Sequence, residues 1–265
     1  MPAVKFTMEE LRGLSGIHDV EDDALIDAIS MIGADYQGFY DGVLEFEFFP
    51  DRPDLFSVEG VARALRHYLG GEVRHHPVSR GDIVMTADPT VRDVRPYVVG
   101  GVVRGVSLDG DAVLSLMSLQ EKLHATIGRD RRKVAIGVHD LDRVVPPFTY
   151  TAIAPDSLSF VPLGHTEPMT PEEILRRHEK GLAYAHILEG VDRCPMILDS
   201  NGDVLSFPPV INGALTTVTT ETRNVFIDCT GTSLGALRTA LNIVATSLAE
   251  RGGSIESIEV APSGD

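Results

Sequence analysis

The stretch from Asn224 to Pro262 constrains this chain more than any other, because it reads as strand, glycine turn, helix and strand in succession. "NVFIDCT" alternates as a strand, "GTS" interrupts it, Leu234 to Arg251 carries helical periodicity, and "SIESIEVAP" alternates again. A segment of this kind needs a sheet with a helix packed on it. In the first strand successive side chains point to opposite faces, so Ile227 and Cys229 share one face while Phe226, Asp228 and Thr230 share the other. The apolar pair belongs to a core. Asp228 and Thr230 then stand side by side at the C-terminal end of the strand. Gly231 follows, and its missing side chain lets a ligand or another backbone come close. Two roles stay open for the pair: side chains that carry chemistry, or Asp228 capping the turn with Thr230 an ordinary strand residue.

The rest of the chain divides by texture. Residues 1–85 are expected to form a small N-terminal α/β unit. The spacing predicts a helix over Asp22–Met31, a strand in "VLEFEF" with Leu44, Phe46 and Phe48 on one face, and a helix over Ser57–Leu69. Ser57 is its expected N-cap, with Gly60 where a capping box would have Glu. "EVRHHPVSRGDIVMTADPTVRDVRP" is polar, proline-containing and aperiodic, which predicts a linker or crossover. Residues 86–265 alternate longer strands and helices. Strands are predicted in "PYVVGGVVRGVSL", "KVAIGVHDL", "PPFTYTAIAP" and "LSFVPL", and an amphipathic helix in "LSLMSLQEKLHATI". Thr170, Pro171 and Glu173 spell a capping box that opens one or two helices. "PMILDSNGDVLSF" predicts a hairpin turning near Asn201-Gly202. The fold class expected is α+β, a small N-terminal unit followed by a larger domain on a mixed or largely antiparallel sheet.

Composition narrows the function classes. With 39 acidic against 23 basic residues the net charge is -16, which repels a phosphate backbone unless positive charge is concentrated somewhere. The one dense basic cluster is "GRDRRKVAIG", with Arg131, Arg132 and Lys133 as candidate RNA-binding residues. The two cysteines, Cys194 and Cys229, have no C-x-x-C spacing and predict neither zinc nor a disulfide framework. No run of about 18 apolar residues and no signal-peptide pattern is present, so a cytoplasmic location without membrane contact is the expectation.

Several motifs compete for the chemistry. "GTSLG" fits the G-x-S-x-G nucleophile elbow with Ser233 as nucleophile, but that arrangement needs an acid and a histidine later in the chain. All nine histidines precede Ser233. His139, at the end of a hydrophobic strand with carboxylates close by, is placed as a ligand or general base often is; a packed or capping role is the competing reading. His178 and His186 are too far apart for the i, i+4 pairing of a zinc helix, and no metal site is expected. Pro208-Pro209 predicts an extended rigid arm with Ser206 and Asn212 at its ends, suited to recognition by hydrogen bonds or merely a stiffened loop.

The blocks "MPAVKFTMEEL", "FFPDRPDLFSVEGVARALRHYLG", "RRKVAIGVHDLDRVVPPFTY", "GLAYAHIL" and "VLSFPPVINGALTTVTTETRNVFIDCTGT" occur here in collinear order. Together they resemble the beta subunit of archaeal and eukaryotic phenylalanyl-tRNA synthetase over nearly the whole chain. The resemblance reaches only the N-terminal half of such a subunit, which implies an excised piece or a free-standing relative. It implies that residues 86–265 form the editing domain, which hydrolyses tyrosine wrongly attached to phenylalanine tRNA. It also implies the partners: phenylalanine tRNA, and the synthetase alpha subunit in an α2β2 enzyme. No cofactor is expected for editing; ATP and magnesium belong to the full synthetase. Position by position, the resemblance assigns the pocket to Ile197 (or Met196 or Leu198 beside it), Ser206, Asn212, Asp228 and Thr230; substrate binding is then expected of Ile197, Ser206, Asp228 and Thr230, with Gly231 making room for the substrate, and catalysis of Asn212, Asp228 and Thr230. A non-catalytic RNA-binding or scaffolding module is the alternative function, and a serine hydrolase using Ser233 a further one.

Overall fold

In the computed structural model, which describes residues 1–262, the alternating segments form strands and the periodic ones helices. The first unit comprises β1 (Ala3–Thr7), α1 (Met8–Ser15), α2 (Asp22–Met31), β2 (Ala34–Tyr40), β3 (Val43–Phe48) and α3 (Val58–Tyr68). Its three strands make an antiparallel sheet in the order β1-β3-β2, with Leu44, Phe46 and Phe48 buried as the alternation predicts. Ser57 Oγ caps α3 by accepting from Gly60 N at 3.4 Å. Glycine stands there because a Cβ would run into the Asp54 carbonyl oxygen.

The second unit comprises β4 (Val78–Ala87), β5 (Tyr97–Arg104), α4 (Gly110–Ala125), β6 (Val134–Asp140), β7 (Phe148–Ile153), α5 (Pro171–Arg177) and α6 (Glu179–Tyr184). It continues through β8 (Cys194–Leu198), β9 (Val204–Phe207), β10 (Ile211–Asn212), β11 (Asn224–Gly231), α7 (Leu234–Glu250) and β12 (Ser254–Pro262). Its nine strands form one mixed sheet in the order β10-β9-β8-β7-β4-β12-β5-β11-β6. β4 runs parallel to β12 and β7, and the other pairs are antiparallel.

Three expectations are corrected. The polar stretch expected as a linker contains β4, a ten-residue strand in the middle of the sheet, so the expected boundary at 85/86 falls inside it. Its first half is largely exposed, which leaves only Ile83 and Met85 as buried apolar markers. "LSFVPL" makes only isolated bridges, Phe160 to Met169 and Pro162 to Gly213. Pro208-Pro209 is a turn rather than an extended arm: Val210 N donates to Phe207 O at 2.8 Å, and Asn212 lies opposite Ser206 across a two-pair hairpin.

The sheet is rolled. Its first and last strands meet where Asn212 Nδ2 on β10 donates to Val138 O on β6 at 3.4 Å. Inside the roll lie Ile83, Met85, Val102, Phe148, Tyr150, Ile197, Leu205 and Phe226. On the convex side Ile227 and Cys229 join Leu119, Leu237 and Val244 from α4 and α7, so β11 alternates between two cores as its sequence requires. The N-terminal unit shares this outer core through α3 and α7, and buried ion pairs lock the contact: Arg66 to Glu250 at 3.0 Å and Arg251 to Glu59 at 2.8 Å. No helix among the described residues is long and apolar enough to cross a membrane.

Candidate functional site

Closing the sheet leaves a cavity of about 310 Å³ at the seam. Its floor is β6 from Ala135 to Val138, one wall is the Ser206–Gly213 hairpin, another is α4 with Gln120, Glu121 and His124, and Asp228 reaches in from β11. The rim carries Leu163, Thr216 and the start of α6.

Asp228 is 1% exposed, and its Oδ2 takes a 2.8 Å hydrogen bond from His139 Nε2. Thr216 Oγ1 lies 2.8 Å from the other ring nitrogen and also reaches Gly213 O at 3.3 Å, so the hydroxyl holds the ring from the side away from the carboxylate. β6 and β11 are antiparallel with Asp228 opposite Gly137 and Phe226 opposite His139, so the imidazole reaches the carboxylate diagonally across the pair. Only glycine fits at 137, since a Cβ there would run into Asp228 Oδ2 and His139 Nε2. His139 is fully buried and does not line the cavity. It braces Asp228 from behind and leaves the second carboxylate oxygen to the cavity. Ser206, 3% exposed, lines the same space, and its Oγ finds no hydrogen-bond partner among the described residues.

The other expected site residues sit differently. Ile197 is fully buried opposite Ser206 in the β8–β9 ladder, behind the cavity lining. Thr230 is also fully buried, and its hydroxyl accepts from Arg95 Nε at 2.9 Å. Gly231 makes room for the Lys133 carbonyl, into which a Cβ would run, so the close approach its sequence predicts comes from this chain's own backbone. Among the described residues Ser233 makes no side-chain cap hydrogen bond and no histidine is bonded to it, which leaves the nucleophile-elbow reading without support.

The basic cluster is likewise half internal. Arg129, Asp130 and Arg131 have φ of 48°, 52° and 66°, three successive residues in the left-handed region. Arg95 holds this turn: its guanidinium donates to Arg131 O at 2.9 Å, Arg132 O at 3.2 Å and Thr230 O at 2.7 Å. Burial lowers the Arg95 pKa to about 10. Arg131, expected as an RNA contact, is buried and donates to Pro209 O at 3.2 Å, Val210 O at 2.9 Å and Glu121 at 2.7 Å. It pins the hairpin turn to α4. Arg132 remains exposed and Lys133 half-buried. The His124 contact, helped by Arg131, holds the Glu121 carboxyl down at about 2. Sequence reasoning missed Arg95, Glu121 and Thr216, whose roles arise from contacts distant in the chain. The alternation of Gly137 and His139 on β6, facing Asp228, was the available signal for the brace. Among the described residues no cluster of three or more potential metal ligands occurs.

A model of the B3/4 domain family matches residues 96–261, which are β5 through β12. The phenylalanine–tRNA ligase beta subunit of Methanococcoides burtonii is 47% identical over 263 residues, covering 98% of this chain and 48% of that relative. That of Methanothrix thermoacetophila is 49% identical with the same coverage. The crystal structure of an N-terminal fragment of the phenylalanyl-tRNA synthetase beta subunit from Pyrococcus horikoshii superposes with a TM-score of 0.93 at 39% identity, covering 99% of this chain and 77% of that one. The chain spans about half the length of the curated relatives it matches. With both the rolled sheet and the sequence matched, the chain belongs to the B3/4 domain family, in the form carried by the N-terminal part of archaeal phenylalanyl-tRNA synthetase beta subunits.

Proposed function

We propose that the seam cavity hydrolyses the ester joining tyrosine to phenylalanine tRNA, as the editing site of a synthetase that also contains an alpha subunit. One observation carries this reading: a buried hydroxyl without a partner, Ser206 Oγ, and a braced carboxylate, Asp228, line one cavity. Burying polar groups unpaired costs about 1–3 kcal/mol each, so this end of the cavity favours a ligand that brings a hydroxyl. Tyrosine brings one and phenylalanine does not. A synthetic site shaped for an apolar ring rejects an added hydroxyl by only about 100-fold, and a second site with the opposite preference supplies the missing discrimination.

In the proposed reaction a water oxygen bonds to the ester carbonyl carbon, the bond to the ribose oxygen breaks, and that oxygen leaves with a proton. Ser206 and Asp228 hold the phenol. Asn212, whose amide is tethered to Val138 O, positions the carbonyl or the water. Ile197 and Thr230 act without lining the cavity, Ile197 as the cross-strand neighbour of Ser206 and Thr230 through Arg95. Arg132 and Lys133 face the tRNA, and the acidic remainder of the surface keeps that contact weak without the other half of the synthetase. The test is a deacylation time course on tyrosyl- and phenylalanyl-tRNA. Faster release of tyrosine is expected; equal rates, or none above the spontaneous rate, would overturn the proposal and favour a scaffolding role.

A further inference from the structure

His178 stands at the rim of the cavity, between α5 and α6, with 2% of its surface exposed. Its Nδ1 accepts from Lys180 N at 3.0 Å, capping α6. A nitrogen that accepts carries no proton, so the ring's hydrogen sits on Nε2. That Nε2–H is buried and finds no hydrogen-bond partner among the described residues, and His178 is one of the residues that line the cavity. Burial and the neighbouring His165 ring, 4.5 Å away between centroids, lower the pKa of His178 and so favour its neutral form.

The same side of the cavity repeats this pattern. His124 Nε2 accepts from Ile136 N at 2.8 Å, which puts its hydrogen on Nδ1, and that nitrogen makes no hydrogen bond, its nearest carboxylate being Glu121 at 3.8 Å. Arg131 Nε is a third buried donor without a partner. These three groups can only donate. Ser206 on the hairpin and Asp228 on β11 also accept. The unpartnered groups at His178, His124 and Arg131 therefore suit an oxygen that only accepts, while Ser206 and Asp228 suit a hydroxyl.

We propose that His178 is a substrate-binding residue that donates its Nε2–H to an acceptor oxygen at the nucleoside end of the bound aminoacyl ester, a ribose or carbonyl oxygen. This rests on the hydrolytic reading of the cavity.

Two substitutions separate the ring's jobs. In His178→Asn the side-chain oxygen can still accept from Lys180 N but nothing reaches the Nε2 position. In His178→Gln an amide donor reaches that position and the cap is weakened. The probe is the non-hydrolysable amide of tyrosine on 3′-amino-3′-deoxyadenosine, with Kd by calorimetry and Tm measured alongside. One lost hydrogen bond corresponds to about fivefold, so H178N should bind about fivefold more weakly at nearly wild-type Tm, while H178Q binds within about twofold of wild type at a lower Tm. In the free protein, ¹⁵N shifts at pH 8 should show the Nε2–H tautomer. Unchanged binding in H178N, equal weakening in both variants, or an Nδ1–H tautomer would each overturn the assignment while wild type still binds. Failure of wild type to bind the amide would instead sink the hydrolytic reading, and the ligand given to His178 with it.

Discussion

Asp228 is useful only because of what stands behind it. A buried carboxylate with no partner would be costly, and His139 supplies a hydrogen bond at 2.8 Å while Thr216 fixes the imidazole from the other side. Gly137 is what lets the two side chains meet. Gly137→Ala is therefore expected to push Asp228 and His139 apart, lowering stability by about 1–3 kcal/mol in urea unfolding, as overpacking does. It should also abolish any deacylation. A variant with wild-type stability would show that the strand can shift to admit a methyl group and that the brace is not tight. The alternation in "NVFIDCT" was enough to put Asp228 on the inner face, and the structure agrees. The same rule put Thr230 beside it, but could not show that Arg95, distant in the chain, takes its hydroxyl.

At the level of elements, the exposed edge of β6 is covered by a helix. Edge strands carry unpaired backbone groups, and α4 satisfies two of them: His124 accepts from Ile136 N, and Gln120 Nε2 donates to Ile136 O at 3.4 Å. His124 can accept only while neutral. Burial lowers its pKa, opposed by Glu121 and reinforced by the nearby Arg131 and Arg95. A lowered folded-state pKa means that the unfolded chain binds the proton more readily. The stability is fully present above the unfolded value of about 6.5 and is lost as pH falls below it toward the folded value. Urea midpoints should accordingly drop between pH 7 and pH 5. In His124→Gln, where an amide oxygen can accept without titrating, that dependence should flatten; an equally steep profile would assign it to other groups. Periodicity located α4 and β6 correctly. It said nothing of their polar seam, because His124 and Ile136 meet only after the chain has turned through the left-handed residues 129–131.

Across the whole molecule, the sequence revealed the kinds of elements and their order but not the way the sheet closes. β4 was hidden because its first half is polar and exposed, and the hairpin at Pro208-Pro209 read as extended because two prolines fix φ without fixing the turn. The first error concerns the middle of the sheet and the second its closure, and that closure makes the cavity. Ser206 and Asp228 stand on strands six places apart in the sheet order, yet they line one space because β10 meets β6. The net charge of -16 belongs to this scale too, and Arg131, committed to the hairpin, does not offset it at the surface. The most direct measurement compares tyrosyl-tRNA deacylation by wild type and Asp228→Asn. Asparagine keeps an oxygen that accepts from His139 Nε2–H and removes the negative charge, so unfolding is a poor explanation for any loss. A fall in the first-order rate of at least about tenfold, one factor that a lost charged hydrogen bond of roughly 1.5 kcal/mol produces, is expected at a Tm close to wild type. Deacylation at the wild-type rate would contradict the role given to Asp228 and to the cavity around it.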